Sequence, residues 1–107
     1  MSNSKEPTVA LKKLGSFAPK LVQLTDDVLF GDVWARKELS PRDRSLITVS
    51  SLLTGGNTKQ LKSHLQLAKQ NSLSEEELIE AMTHLAFYAG WPKAMSDMMV
   101  AKEVFLK

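Results

Sequence analysis

The stretch SPRDRSLITVSSLLTGGNTKQLKSHLQLAK, residues 40–69, decides the fold class because it carries the start and stop signals of two successive helices. Ser40 is suited to the N-cap, Pro41 to the first helical position and Asp43 to the third, where an acid favours the helix dipole. The glycines at 55–56 supply a stop signal. We therefore predict one helix that ends at the glycine pair and a second that follows directly.

The second of these helices is amphipathic. Asn57 is suited to its N-cap, and Gln60 would complete a loose capping box. Four residues at the spacing i, i+3, i+4, i+7 share its apolar face: Leu61, His64, Leu65 and Ala68. The pattern predicts a helix with a single histidine on its inward face.

The segments before residue 40 show weaker helical signals. A short helical turn is predicted over residues 9–14, and a helix that starts at Pro19 and extends to residue 29. The mixed run at 30–34, which contains a glycine, predicts a break and a turn. Residues 1–8 are predicted to be a flexible N-terminus, followed by a single domain over residues 9–107.

Two further helices are predicted after residue 70. Ser74 and Glu77 form a capping box at the start of one helix. The last helix is predicted over residues 92–105, and its stripe of small and soft apolar residues is wider than one small bundle needs, which favours an oligomer. Because no segment alternates with period two, the fold class is all-α, a small helical bundle of four or five main helices.

Composition excludes several classes of function. The net charge is +2, and the basic residues are scattered, which is not typical of a nucleic-acid-binding protein. Apolar runs are far too short for a membrane span, and the polar N-terminus contains no apolar signal region, so a cytoplasmic protein is expected. With no cysteine and two histidines, disulfides, thiolate metal sites and an all-protein zinc site are not expected.

The spacing Asn57-x-x-Gln60-x-x-x-His64 is that of a Cys-x-x-Cys-x-x-x-His thiol-redox motif in which both cysteines are replaced. Without a thiolate there is neither a peroxidatic nucleophile nor a disulfide cycle. What remains is a histidine, and it indicates acid–base chemistry, ligand binding or a scaffold that has lost its reaction.

Three blocks carry a resemblance to a known family: LFGDVW at 29–34, LSPRDRSL at 39–46 and HLAFYAGWPKA at 84–94. In this order, and spanning residues 17–107, they resemble the carboxymuconolactone decarboxylase family, which belongs to the alkylhydroperoxidase-like superfamily. The resemblance implies an all-helical fold of the alkylhydroperoxidase-like type that assembles as a ring-like hexamer, a trimer of dimers.

The same resemblance implies two branches of chemistry. Thiol peroxidases of the superfamily carry two cysteines and a glutamate twelve residues before the first of them, and that glutamate position is Ser45 here. We therefore reject a peroxidase function. The branch of the 4-carboxymuconolactone decarboxylases works without cysteine, and His64 matches the histidine that both branches share.

The predicted function is accordingly a cofactor-free carboxy-lyase acting on a small carboxylated lactone. Neither a metal nor an organic cofactor is needed, because the electrons left by carbon dioxide flow into a conjugated system. His64 is the candidate proton donor, although a histidine hydrogen-bonded in the core has the same pattern. Arg44 is the candidate for binding a carboxylate, with a buried salt bridge as the alternative.

Four further residues are candidates for substrate binding. Phe30 and Trp34 are candidate lining residues because the resemblance places their segment near the ligand pocket. His84 follows Glu80 by one helical turn, so an ion pair on the helix surface is favoured, with a cleft between subunits as the alternative. For Trp91, packing at a helix corner is favoured over a pocket wall.

Two other functions remain open. A non-redox ligand-binding or catalytically idle oligomer of the same family predicts that His64 is wholly buried and satisfied. An isomerisation or a lactone hydrolysis would use the same acid–base groups. The expected partners are a small carboxylate and further copies of the chain, without nucleic acid or membrane.

Overall fold

A computed structural model of the chain describes residues 8–106, and over this range it contains helices and no strand. The chain divides into two compact units, Met1–Glu38 and Leu39–Lys107. The N-terminal unit contains α1 (Val9–Leu14), α2 (Pro19–Gln23) and a π-helix (Leu24–Val33). The C-terminal unit contains α3 (Pro41–Gly55), α4 (Thr58–Gln70), α5 (Glu75–Ala89) and α6 (Trp91–Phe105). The all-α prediction is thereby confirmed, whereas the predicted single domain stays a prediction.

The N-terminal unit is built from short helices with little buried surface. Thr8 caps α1 by accepting a hydrogen bond from the Leu11 amide at 3.1 Å, and its own hydroxyl donates to Asp26 Oδ2 at 2.9 Å. Among residues 8–38, Val22 is the buried apolar residue. Of the N-terminal segment predicted to be flexible, only Thr8 lies among the described residues.

The predicted break at residues 30–34 is wrong, because the helical path continues there in a wider winding. The Trp34 amide donates to the Leu29 carbonyl at 2.9 Å, which is an i→i+5 bond. At Gly31 a Cβ atom would lie 2.9 Å from the Asp26 carbonyl oxygen, closer than such contacts allow. The glycine therefore relieves a close backbone contact inside the π-helix instead of ending the helix.

The caps of α3 and α5 agree with the sequence. Ser40 Oγ accepts a hydrogen bond from the Asp43 amide at 3.0 Å, and α3 ends at Gly56 with a left-handed φ of 73°. At α5 the Ser74 and Glu77 side chains each accept a bond from the other's backbone amide, at 3.0 Å in both directions. The backbone bond from Ser74 is the main cause that lowers the pKa of the Glu77 carboxyl.

The predicted capping box of α4 is wrong. Asn57 does occupy the N-cap position, but its side chain makes no capping hydrogen bond, and Gln60 is exposed. The physical reason is the backbone: Asn57 has φ −91° and ψ 65°, whereas the capping Ser40 is extended with ψ 155°. An N-cap that follows directly on the left-handed Gly56 does not reach the geometry that a side-chain cap needs.

The four long helices form two hairpins around one core. The α3–α4 hairpin is tied at its open end by Asn71 Nδ2, which donates to the buried Ser45 Oγ at 2.9 Å. Helix α6 begins where Lys93 Nζ donates to the Thr54 carbonyl at 2.9 Å, and it ends where Lys69 Nζ lies 5.3 Å from the Phe105 ring. Helices α4 and α6 therefore run parallel to each other.

The core lies between these helices, and its members among residues 8–106 belong to the C-terminal unit. Its buried members are Val49, Leu53, Leu61, Leu65, Ala68, Leu73, Leu78, Met82 and Ala101. Within residues 8–106, no helix combines the length and the apolar character that a membrane crossing requires.

Candidate functional site

His64 lies near the middle of α4, on the side that faces the core. Leu61, Leu65 and Ala68 on the same side are completely buried, while His64 itself is half-buried, with its Nδ1 shielded from solvent. The i, i+3, i+4, i+7 pattern predicted this placement correctly. A half-buried imidazole has one side in a structured environment and another within reach of a ligand, which suits a proton donor.

Arg44 lies in the first turn of α3 and is half-buried. Its Nε donates to the Leu39 carbonyl at 3.2 Å, so the side chain is directed back along the chain that enters the helix. This agrees with the general tilt of helical side chains toward the N-terminus of their own helix. A guanidinium held in this way is suited to a planar anion, because its fork can pair with both oxygens of a carboxylate.

Within one chain, the structure does not bring Arg44 and His64 together. The hydrogen bond from Asn71 to Ser45 places these two residues at the same level of the hairpin. Ser45 directly follows Arg44, and Asn71, the C-cap of α4, comes seven residues after His64. At the rise of an α-helix, this separates the two site residues by about 10 Å along the hairpin axis. Because α3 and α4 are antiparallel and side chains tilt toward their own N-termini, Arg44 and His64 point apart.

Ser45 takes the place at which the resemblance puts a glutamate in the thiol peroxidases. It is completely buried, and its hydroxyl accepts the hydrogen bond from Asn71. A serine in this pairing holds the hairpin together and cannot supply the carboxylate of a proton relay. With no cysteine in the chain, the C-terminal unit has neither of the groups that a peroxidase cycle uses.

Asp97 is a notable residue that sequence reasoning missed. It lies on the inner face of α6, completely buried, and neither carboxyl oxygen has a hydrogen-bond partner among residues 8–106. Burial raises the pKa of this carboxyl above its ordinary value of 3.8. The signal in the sequence was an acid between Ala94 and Ala101, at the spacing of the buried face.

An exposed aromatic cluster lies at the α5–α6 corner. The His84 ring packs against Tyr88 with centroids 5.1 Å apart. Among the described residues His84 forms no ion pair with Glu80, and its role in substrate binding stays a prediction. The Trp91 and Phe87 rings meet edge to face, with centroids 5.8 Å apart. Trp91 is 59% exposed, so the favoured prediction that it packs into the helix corner is wrong. The cluster exposes apolar surface of the kind that marks contact sites.

Phe30 and Trp34 belong to the N-terminal unit. Their ring centroids are 5.7 Å apart with the planes tilted by 30°, and Phe30 is 40% exposed. They form a second aromatic pair, at the C-terminal end of the π-helix. As substrate-lining residues they remain a prediction.

An open groove of about 470 Å³ lies in the N-terminal unit. It is lined by Leu11, Gly15, Ser16, Pro19, Val22, Gln23, Asp26 and Asp27. None of the predicted site residues lines it, so it gives no support to the site. Among residues 8–106, no three potential ligands are grouped in a way that could hold a metal ion.

Comparison with known proteins agrees with the three sequence blocks. The profile of the Carboxymuconolactone decarboxylase family matches residues 19–103. A 4-carboxymuconolactone decarboxylase of Acinetobacter baylyi is 33% identical over 96 residues, which are 90% of this chain and 72% of that protein. A nitrosuccinic acid decarboxylase of Metarhizium robertsii is 30% identical over 94 residues, which are 88% of this chain and 66% of that protein.

Proposed function

We propose a function from one premise, which is that the chain belongs to the carboxymuconolactone decarboxylase family. The protein is a cofactor-free carboxy-lyase that removes carbon dioxide from a small carboxylated lactone. The observation that carries the proposal is a half-buried histidine on α4, in a chain without cysteine whose named relatives are both decarboxylases.

The chemistry makes three demands on the protein. The bond between the carboxylate carbon and its neighbour breaks, carbon dioxide leaves, and the electron pair delocalises into the unsaturated system. His64 then delivers a proton to carbon, and general acid–base help of this kind contributes about 10²–10⁴-fold in rate. Arg44 holds a carboxylate through paired N–H donors.

Other groups extend this site. His84 and Trp91 of the C-terminal unit contact the substrate in this proposal, as aromatic surfaces suited to a planar unsaturated acid. For the N-terminal unit, Phe30 and Trp34 are the candidate lining residues. The protein works as a homo-oligomer, a hexamer built as a trimer of dimers. Support for an oligomer comes from the exposed aromatic cluster, in which Phe87 is 76% and Tyr88 79% exposed.

The second relative's name makes nitrosuccinate another substrate to test. Lactone acid and nitro acid share a carboxylate whose loss leaves a delocalised anion, so one site chemistry serves both. The substrate class is therefore a small carboxylic acid with an electron-accepting group, and 4-carboxymuconolactone is the first member to assay.

The test is an ultraviolet assay of purified protein with 4-carboxymuconolactone, and a parallel assay with nitrosuccinate. We expect turnover that His64→Ala lowers by about 10²–10⁴-fold. Gln66→Ala, an exposed position on the same helix, is the matched control and should retain activity. Turnover that survives in His64→Ala would exclude the histidine as donor. Folded protein that turns over neither acid would favour a ligand-binding scaffold instead.

A further inference from the structure

Asn57 and Gln60 carry amide side chains that take no part in holding α4 in place. The capping bonds predicted for them are not formed, and neither side chain makes a hydrogen bond with another residue among residues 8–106. Both residues are exposed. Each amide therefore offers N–H donors and a carbonyl acceptor to a ligand.

The two amides lie on one side of α4 together with His64, and we call these three residues the amide–histidine stripe. The spacings of three and four residues make successive members neighbours on the helix surface, with Cβ atoms about 5–6 Å apart. The imidazole tilts toward the N-terminus of α4, and so toward Gln60. Because Asn57 and Gln60 are exposed and His64 is half-buried, a ligand reaches the imidazole past the two amides.

The α3–α4 turn gives the Asn57 amide a defined place. A Cβ atom added to Gly55 would lie 2.5 Å from Asn57 Oδ1, closer than such contacts allow. The carbonyl end of the amide is therefore turned toward the turn, in space that exists because residue 55 has no side chain. The Nδ2 end is left to donate.

A cation lies beside the same turn, at the outer end of the stripe. Lys93 Nζ donates to the Thr54 carbonyl at 2.9 Å, and Lys93 Cε is 4.0 Å from the position of a Cβ atom built on Gly56. An ammonium group here attracts anions, and the substrates of the proposed reaction are carboxylates. The charge at this end of the stripe thus favours the approach of the substrate.

The proposed reaction needs hydrogen-bond donors close to His64. When the bond to the carboxylate carbon breaks, negative charge develops on the oxygen of the electron-accepting group, which is the lactone carbonyl or the nitro group. The carbon that His64 protonates is conjugated with this group, so the group lies near the imidazole. Arg44 is about 10 Å away along the hairpin and points in the other direction. Another donor must therefore stabilise the developing charge.

We propose that Asn57 and Gln60 bind the electron-accepting group of the substrate and donate hydrogen bonds to the oxygen on which negative charge develops. The inference rests on the proposed function and assigns two substrate-binding residues to its site. The electron pair of the broken bond delocalises onto that oxygen and returns to carbon when His64 adds its proton. Carbon dioxide is the leaving group, and no oxidant or reductant takes part.

Steady-state kinetics with 4-carboxymuconolactone test the two amides. Loss of one donor to a developing oxyanion lowers kcat by about 10²–10³-fold, and we expect the lower end of this range for Asn57→Ala and Gln60→Ala because both amides are exposed. KM should change little, since these bonds strengthen in the transition state. The ratio of wild-type to variant kcat should not vary with pH, because an amide does not titrate. Gln66→Ala removes the same side chain from the opposite side of α4 and should leave both constants unchanged.

Gly55→Ala moves the Asn57 amide without removing it. The new Cβ would meet Asn57 Oδ1, the end of a side chain that can turn aside. We expect kcat to fall toward that of Asn57→Ala. The free energy of unfolding should not fall, because alanine is a better helix former than glycine. A residue that served only the fold would show the opposite, a loss of stability without a selective loss of kcat.

The outcomes separate the two proposals. Wild-type turnover together with Asn57→Ala and Gln60→Ala variants as active as Gln66→Ala would overturn the role of the amides and leave the decarboxylase intact. A fall in kcat that is matched by a loss of stability in urea unfolding would assign the amides to the fold and overturn their role in binding. Absence of wild-type turnover would overturn the function and the role of the amides together.

Discussion

Asp97 places a carboxyl group in the core of the C-terminal unit, where neither oxygen has a hydrogen-bond partner among the described residues. A buried polar group without a partner costs about 1–3 kcal/mol, and more when it is charged. Burial raises the pKa of this carboxyl, so the folded chain holds the proton more tightly than the unfolded chain. Its contribution to stability is therefore greatest below the unfolded pKa and is lost as pH rises through the folded pKa.

Asp97→Asn should consequently stabilise the protein near neutral pH. We expect the free energy of unfolding to rise by about 1–3 kcal/mol at pH 7, because the variant has no charge to bury. The gain should shrink as the pH falls toward the ordinary value of 3.8, because the folded wild-type carboxyl is then protonated and has no charge to bury. Urea unfolding at pH 7 and pH 4 measures it, and an equal gain at both values would refute the account.

Single residues were predictable where their effect is local. Ser40 and Ser74 were identified as caps because a cap depends on a few neighbouring residues, and both make the expected bonds. His64 was placed on an inward face by periodicity alone. Asp97 was missed because burial of an acid is decided by helices distant in sequence, and the relation of Arg44 to His64 depends on hairpin register.

At the scale of elements, α4 and α5 begin with different kinds of cap. Ser74 Oγ accepts the Glu77 amide, whereas the Asn57 side chain makes no such bond. Ser74→Ala should therefore lower the free energy of unfolding by about 1 kcal/mol. Asn57→Ala is the matched comparison, and it should change stability by less than about 0.5 kcal/mol. Chemical denaturation of both variants checks the difference, which equal losses would contradict.

The π-helix explains a sequence pattern that α-helical periodicity leaves scattered. In a winding that bonds i to i+5, residues four and five positions apart lie on one side. These spacings place an apolar set on one side: Leu24, Val28, Leu29 and Val33. The same spacings of four and five positions place a polar set on the other side: Asp26, Asp27, Gly31 and Asp32. The segment is amphipathic in the π winding, and the glycine at 31, which predicted a break, lies within it.

Gly31→Ala should destabilise this element, although the same change in an ordinary helix stabilises by about 0.5–1 kcal/mol. The new Cβ would lie 2.9 Å from the Asp26 carbonyl oxygen, a backbone atom that cannot turn aside. We expect a loss of about 1–3 kcal/mol, as for other overpacked sites. The loss of stability is measured by the fluorescence emission of Trp34 during urea unfolding. The measurement is made in a Trp91→Phe background, so that Trp34 is the one tryptophan left.

The control for this prediction is Asp32→Ala, one position along the same helix on its polar, exposed side. It introduces alanine without the close contact to the Asp26 carbonyl oxygen, so its free energy of unfolding should stay within about 0.5 kcal/mol of that of the parent. A Gly31→Ala variant as stable as this control would show that the helix adopts the α winding at no cost.

At the scale of the whole molecule, family membership was recoverable because three blocks spread over most of the chain agree in order, and the profile match over residues 19–103 confirms it. The two-unit division was not recoverable. It arises because the apolar residues of the N-terminal segment stay largely exposed, with Leu21 at 55% and Phe17 at 90%, while those after residue 39 pack on one another. Composition is similar in both segments, so only three-dimensional packing distinguishes them.

This unequal burial predicts that residues 39–107 fold without the N-terminal unit. All members of the core lie between Val49 and Ala101, and the ties at Ser45, Thr54 and Lys69 are internal to this fragment. A core of this size supports about 3–5 kcal/mol. We expect the fragment to keep its helical circular dichroism and to unfold cooperatively, with a midpoint that Asp97→Asn raises as it does in the full chain. A fragment without a cooperative transition would mean that the N-terminal unit contributes to the stability of a core it does not supply.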